Sequence, residues 1–313
     1  MLSTAFCVAL LAATAVAFAL TEGAKTELSP LYGTQIAKVF SPVCSPAHCR
    51  SHAAKIDFKL RQRQRLEVWM LRNGRRVSTV VPGRRFSRGE VRLAFTGLAD
   101  DGVSILPDGA YQPVIRFVEE HRTITLPNVI DLDTNPPEPA KPARLLRTHL
   151  SPNGDGRNDS IRIPYTLSGP GHGILFVNGR QAVFTRSQRR RGTLTWNGRL
   201  HGTLLRPGWY RLAVAGQDAA GNRSSTVPVA SVEIRYLRLG RPVVNVVRLH
   251  RLALFVLTDA KTVHWLLDRG RGDSRSHTLR IEAPRKPGVY TRYVTAAGHT
   301  DRTSVVVTGK GAR

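Results

Sequence analysis

The chain has 313 residues, 41% of them hydrophobic, and a formal net charge of +25 from 47 basic against 22 acidic side chains. That is room for two or three compact domains and too much apolar content for wholesale disorder. Of the basic residues 39 are arginine, which stays charged at any cellular pH and grips carboxylates and phosphates bidentately. Anionic partners are therefore to be weighed, with an arginine-favouring genome as the plain alternative.

Residues 1–22 open the chain with a stretch free of charge from Leu2 to Leu20. Its length lies between a secretory apolar region and a membrane span, and Ala15-Val16-Ala17 and Ala17-Phe18-Ala19 both fit a small-x-small cleavage rule. No Lys or Arg precedes it, so a single-pass anchor is preferred to a cleaved signal; either one exports the rest. Cys7 lies inside this stretch, and Thr4-Ala5-Phe6 does not make a lipobox. Cys44 and Cys49 remain, and in an oxidising compartment their C-x4-C spacing reads as a disulfide. Free thiols, or a metal site completed by His48 and His52, are the alternatives.

A first domain is expected over 36–134. Residues 55–60 alternate polar and apolar, 66–71 continue as a strand, and Asn73-Gly74 makes the hairpin turn into 77–81. Strands at 91–95 and 112–118 enclose a glycine-rich loop. The proline-rich run 135–143 reads as a linker. A second domain over 144–235 repeats the plan, with strands at 162–167 and 174–177, a turn at Asn178-Gly179, and strands at 193–196, 210–215 and 227–235. Pro228 places the last at an edge or a bulge. Gly171-His172-Gly173 reads as a flexible turn. A third, smaller domain spans 237–309. Beyond the N-terminal segment no sustained 3.6-residue apolar period occurs. The fold class expected is all-β: tandem Ig-like β-sandwich domains preceded by an N-terminal hydrophobic helix.

The domains share a signature. Phe95-Thr96-Gly97 with Pro107-Asp108-Gly109-Ala110-Tyr111 parallels Trp196-Asn197-Gly198 with Pro207-Gly208-Trp209-Tyr210, and Pro287-Gly288-Val289-Tyr290 repeats its end. Proline and glycine shape a tight bend. A tyrosine after it can bury its ring and hydrogen-bond back to the loop, so Tyr111, Tyr210 and Tyr290 read as structural tyrosine corners. Trp69, Trp196 and Trp265 read as core or loop anchors. Trp209, next to Tyr210, should face the other side of its strand and is a candidate surface contact. Arg189, Arg190 and Arg191 form the densest basic cluster, at an expected hairpin tip.

Ser151-Pro152-Asn153-Gly154-Asp155-Gly156-Arg157-Asn158-Asp159, with Trp196-Asn197-Gly198, Pro207-Gly208-Trp209-Tyr210 and Asp218-Ala219-Ala220-Gly221-Asn222, resembles the FlgD-type Ig-like domain of the flagellar hook-capping protein and of many exported bacterial proteins. The Ser151–Asp159 opening is also similar to gliding-motility-type C-terminal Ig-like domains. The first domain matches more loosely, through Phe40-Ser41-Pro42, and the third only in its Pro-Gly-x-Tyr corner. Nothing is similar to the hook-binding part. The resemblance implies a non-catalytic exported module of structural or adhesive type.

Asn153, Asp155, Asn158 and Asp159 put four oxygen-bearing side chains within seven residues, a candidate calcium loop; turn-forming hydrogen bonds within the loop account for the same residues. No other cofactor is expected. No G-x-S-x-G, H-E-x-x-H or P-loop pattern occurs, so no catalytic residue is assigned. Arg271-Gly272-Asp273 is a chance tripeptide in an arginine-rich chain. The reading that follows is a membrane-anchored or secreted interaction protein, its partner a cell-envelope protein or an anionic wall polymer. Nucleic-acid binding is the alternative suggested by charge, disfavoured because the chain carries an export segment and no DNA-reading motif. A glycan-binding accessory module using Trp209 is a third.

Overall fold

The computed structural model describes residues 6, 10–16, 28–49, 52–141, 145 and 148–309. Of the expected N-terminal segment only Phe6 and residues 10–16 are among these, as exposed helix; the remainder lies outside the described residues. Among the described residues no helix is long and apolar enough to cross a membrane. The chain divides into two compact units, 1–134 and 135–313, and the second holds two separate hydrophobic cores.

The first unit is a two-sheet sandwich. Its strands are β1 (Leu31–Ile36), β2 (Val39–Phe40), β3 (Ala54–Leu60), β4 (Gln64–Arg72), β5 (Arg75–Phe86), β6 (Gly89–Phe95), β7 (Gly109–Phe117), β8 (Arg122–Thr125) and β9 (Ile130–Leu132). One sheet has the order β1-β3-β6; the other runs β2-β9-β7-β4-β5, with β2 parallel to β9 and β8 beside β7. Alternation does the sorting: Ala54, Ile56, Phe58 and Leu60 of β3 and Leu66, Val68 and Met70 of β4 turn inward to a common core. The sandwich begins earlier than residue 36, since buried Leu31 pairs with Leu60. Trp69, expected as an anchor, faces outward between inward Val68 and Met70, with the Arg76 guanidinium 5.0 Å from its ring centroid. Asn73 and Gly74 take φ of 51° and 75°, as a two-residue hairpin turn requires.

In the second unit the first core lies among β10 (His149–Leu150), β11 (Ile161–Thr166), β12 (His172–Val177), β13 (Arg180–Phe184), β14 (Arg191–Trp196), β15 (Arg199–Leu200), β16 (Thr203–Leu204), β17 (Gly208–Gln217) and β18 (Val227–Ile234). The order β10-β18-β17-β12-β13 repeats that of the first unit, β10 again parallel to its neighbour. Facing it, β11 pairs with β14. Within the expected linker 135–143, the described residues 135–141 are not a free spacer. Pro139 bridges Leu167, the Ala140 amide donates to Thr166 O (2.8 Å) and the Ser168 amide to Glu138 O (2.8 Å), so this stretch lies along the end of β11. Gly171-His172-Gly173 is no flexible turn either. Gly173 lies in β12, where a Cβ would meet the Tyr165 ring at 2.5 Å; Gly192 in β14 has the same neighbour at 2.6 Å. Both glycines are there to let that ring lie between the sheets.

The second core lies among β19 (Arg238–Leu239), β20 (Val243–Val247), β21 (Arg251–Leu257), β22 (Val263–Leu267), β23 (Gly270–Ser274), β24 (Thr278–Glu282), β25 (Gly288–Ala296) and β26 (His299–Thr308). The sheets are β19-β21-β24 and β20-β26-β25-β22-β23. Strands β23 and β24 are thus the two edges at one side of this sandwich.

Within the second unit the two sandwiches are clasped. Asp259 accepts from Ser151 Oγ (2.9 Å) and Asn158 Nδ2 (3.2 Å), while Glu233 of β18 pairs with Arg235 (2.8 Å) and with Arg238 of β19 (2.7 Å). Tyr236 stacks on His299 with ring centroids 3.9 Å apart.

Candidate interaction surface

The repeated signature has a common geometry. Each corner tyrosine begins the strand at the same place in its sheet, and each hydroxyl donates to a carbonyl four residues back: Tyr111 to Pro107, Tyr210 to Arg206 (2.8 Å) and Tyr290 to Lys286 (2.9 Å). Tyr111 is fully buried, with Arg72 reaching its hydroxyl (3.3 Å) and Asp108 O (2.7 Å); Tyr210 and Tyr290 are half-buried. Burial raises the Tyr111 pKa above the ordinary tyrosine value, against the opposing pull of Arg72. The glycine of the aromatic-x-Gly motif is also explained. Gly97 (φ 77°) would place a Cβ 2.9 Å from Leu132 and 3.2 Å from Phe40; Gly198 (φ 75°) would place one 2.9 Å from Pro152 and 3.3 Å from Leu150.

Cys44 and Cys49 are joined, with Cα atoms 6.1 Å apart. His52 approaches them, and its ligand atom and the two sulfurs lie within 4.8 Å of one another. With each sulfur bonded to the other no thiolate is left for an ion, so the disulfide replaces the Cys/His metal alternative.

The 153–159 loop uses its own oxygens. Asp159 Oδ1 and Oδ2 accept from the Gly154 and Gly156 amides (2.7 Å each), Asn153 Oδ1 from the Asp155 amide (3.1 Å) and Asp155 Oδ1 from the Arg157 amide (2.8 Å). Asn158 instead sends its amide group to Asp259. Four of the loop's side-chain oxygens thus accept backbone amides of the loop itself, the turn-forming arrangement that its composition also allows.

Trp209 is 61% exposed on the outer face of β17, opposite Glu233 of β18. Arg189, Arg190 and Arg191 are exposed at the entry to β14, with the Arg190 Nε donating to Leu167 O (3.3 Å). The sandwich they belong to is the most one-sided in charge. Residues 144–235 hold fourteen arginines and four acids. Asp155 and Asp159 are committed to loop amides, Asp218 to the Asn222 amide (2.9 Å) and side chain (2.8 Å), and Glu233 to Arg235 and Arg238. Fourteen arginines against four acids leave residues 144–235 with an excess of ten positive charges, and Glu233 pairs with only one of those fourteen, Arg235.

Two groups escaped the sequence reading. Asp259 was hidden because its partners are more than 100 residues away. Arg292 was legible in principle: Tyr290, Arg292, Val294 and Ala296 share the inward parity of β25. It is fully buried, its three guanidinium nitrogens have no hydrogen-bond partner, and burial pushes its pKa down to about 10.

No protein-family model and no curated protein matches the sequence. Among solved structures, fibronectin(III)-like modules of Clostridium thermocellum CbhA are similar at 14% identity over 64% of this chain and 93% of theirs, with a TM-score of 0.34. The titin I67–I69 fragment is similar at 11% identity over 91% and 100% (TM-score 0.30), and a 1.5-MDa bacterial ice-binding adhesin at 12% over 90% and 99% (TM-score 0.29).

Proposed function

We propose that this chain is a non-catalytic, exported interaction protein of the cell envelope whose sandwiches present a basic surface to an anionic polymer. The observation that carries the reading is the charge imbalance of residues 144–235, which hold fourteen arginines against four acids. The Cys44–Cys49 disulfide supports an oxidising compartment, and the charge-free run from Leu2 to Leu20 supports export, as anchor or as signal. The resemblance of Ser151–Asp159 and its accompanying motifs to FlgD-type domains agrees with such a role. No flagellar task is transferred by it.

The test is sedimentation of the purified chain with polygalacturonate, neutral dextran and a DNA duplex, combined with protease shaving of intact host cells. Retention by polygalacturonate alone, and digestion from outside, support the reading. Equal or tighter retention by DNA, or full protection in intact cells, overturns it. The exposed Trp209 favours a second reading, stacking on a neutral sugar chain; retention by dextran that Trp209→Ala abolishes would establish it.

A further inference from the structure

The five-stranded sheet of the third sandwich turns Val244, Val263, Leu267, Val294, Val305 and Val307 to its core, so by alternation the residues between them form its outer face. One row of that face crosses four strands. Arg271 of β23 lies opposite Leu266 of β22, Leu266 opposite Tyr293 of β25, and Tyr293 opposite Arg302 of β26. Arg271 and Arg302 are exposed, as are Leu266 (44%) and Tyr293 (42%). Three strand spacings, about 14 Å, separate the two arginines. Neither forms an ion pair among the described residues. The one acid on this face, Asp273, stands in the next row and meets His264 Nδ1 (2.6 Å). Hydroxyls border the strip, Thr291 and Ser304 on one side and Thr295 and Thr300 on the other.

Such a strip selects its occupant. Strands β22, β25 and β26 are paired on both sides, so an acidic peptide cannot add here as a strand and only side chains are on offer. A phenol ring beside an aliphatic side chain accepts the face of a sugar ring, and a guanidinium fork accepts a carboxylate. We infer that an acidic polysaccharide lies across these strands, a uronate ring stacked on Tyr293 and Leu266 and carboxylates of the chain paired with Arg271 and Arg302. The inference rests on the reading of this protein as a binder of anionic polymer, and adds to it the sugar class and the place.

Titration of the full chain onto immobilised polygalacturonate and polyglutamate, at constant ionic strength, tests it. The native chain is expected to prefer polygalacturonate. Tyr293→Ala should weaken that binding about threefold to tenfold, as loss of an aromatic contact does, and Tyr293→Trp should retain it. Arg271→Gln/Arg302→Gln should weaken it at least as much. The same losses should appear in a chain already carrying Arg189→Ala/Arg190→Ala/Arg191→Ala, because the strip belongs to another sandwich. Polygalacturonate bound equally by the native chain and all these variants overturns the strip and leaves the anionic-polymer reading standing. No binding of polygalacturonate by the native chain overturns both. Polyglutamate bound as tightly as polygalacturonate overturns the inference in favour of an acidic peptide.

Discussion

Tyr111 and Arg292 are both buried and both titrate in alkali, with opposite consequences. Tyr111 holds its proton more tightly when folded, so the stability it lends the first sandwich is present below about pH 10 and falls as pH rises through its raised value. Arg292 holds its proton less tightly when folded; its penalty is complete at neutral pH and is relieved as pH climbs past about 10. Arg292→Met should therefore stabilise the chain at pH 7 by about 1–4 kcal/mol, the range for replacing buried charge by packed apolar atoms, with the advantage shrinking above about pH 10. Urea unfolding at pH 7 and 10.5 checks both points; a destabilised variant at pH 7 would mean that Arg292 has a partner. Tyr111→Phe should cost about 1–2 kcal/mol and Tyr210→Phe less, because the Tyr210 hydroxyl sits near solvent.

The recurrent elements are the bends, and their glycines separate strain from crowding. Gly179 has positive φ with nothing within 4 Å of a built Cβ, so Gly179→Ala should cost about 1 kcal/mol, from backbone strain alone. Gly198→Ala adds overlap with Pro152, Leu150 and Ile234 and should cost about 2–4 kcal/mol. Similar melting points for the two would refute the packing role of Gly198. Much of this was readable beforehand, because hairpin turns at Asn73 and Asn178 and period-two strands depend on local chemistry. What escaped depends on distant partners. Gly173 looked like a turn since nothing nearby announces that Tyr165 fills its Cβ position. Pro137–Ala140 looked like a spacer since its pairing with Thr166 and Leu167 is decided by the fold. Likewise the composition of 153–159 is compatible with a cation loop and with a self-bonded turn, and the amide hydrogen bonds of that turn depend on backbone directions that composition does not specify.

At the scale of the molecule, the cores over 135–313 are joined by polar contacts made by Asp259 and Glu233. Asp259→Ala removes the acceptor that Ser151 Oγ and Asn158 Nδ2 share and should lower the melting of this unit by the equivalent of about 1–3 kcal/mol, leaving that of 1–134 unchanged; scanning calorimetry resolves the two transitions. Charge acts at the same scale. An affinity built from many exposed guanidiniums must weaken as salt rises, since each contact releases a bound counterion. The decisive measurement is the affinity of the full chain for polygalacturonate between 50 and 300 mM salt (roughly the window over which such contacts fade), for the native chain and for Arg189→Ala/Arg190→Ala/Arg191→Ala. A steep fall with salt, shallower in the triple variant, is predicted; affinity indifferent to salt, or identical slopes, would contradict a surface that works through its excess of exposed arginines.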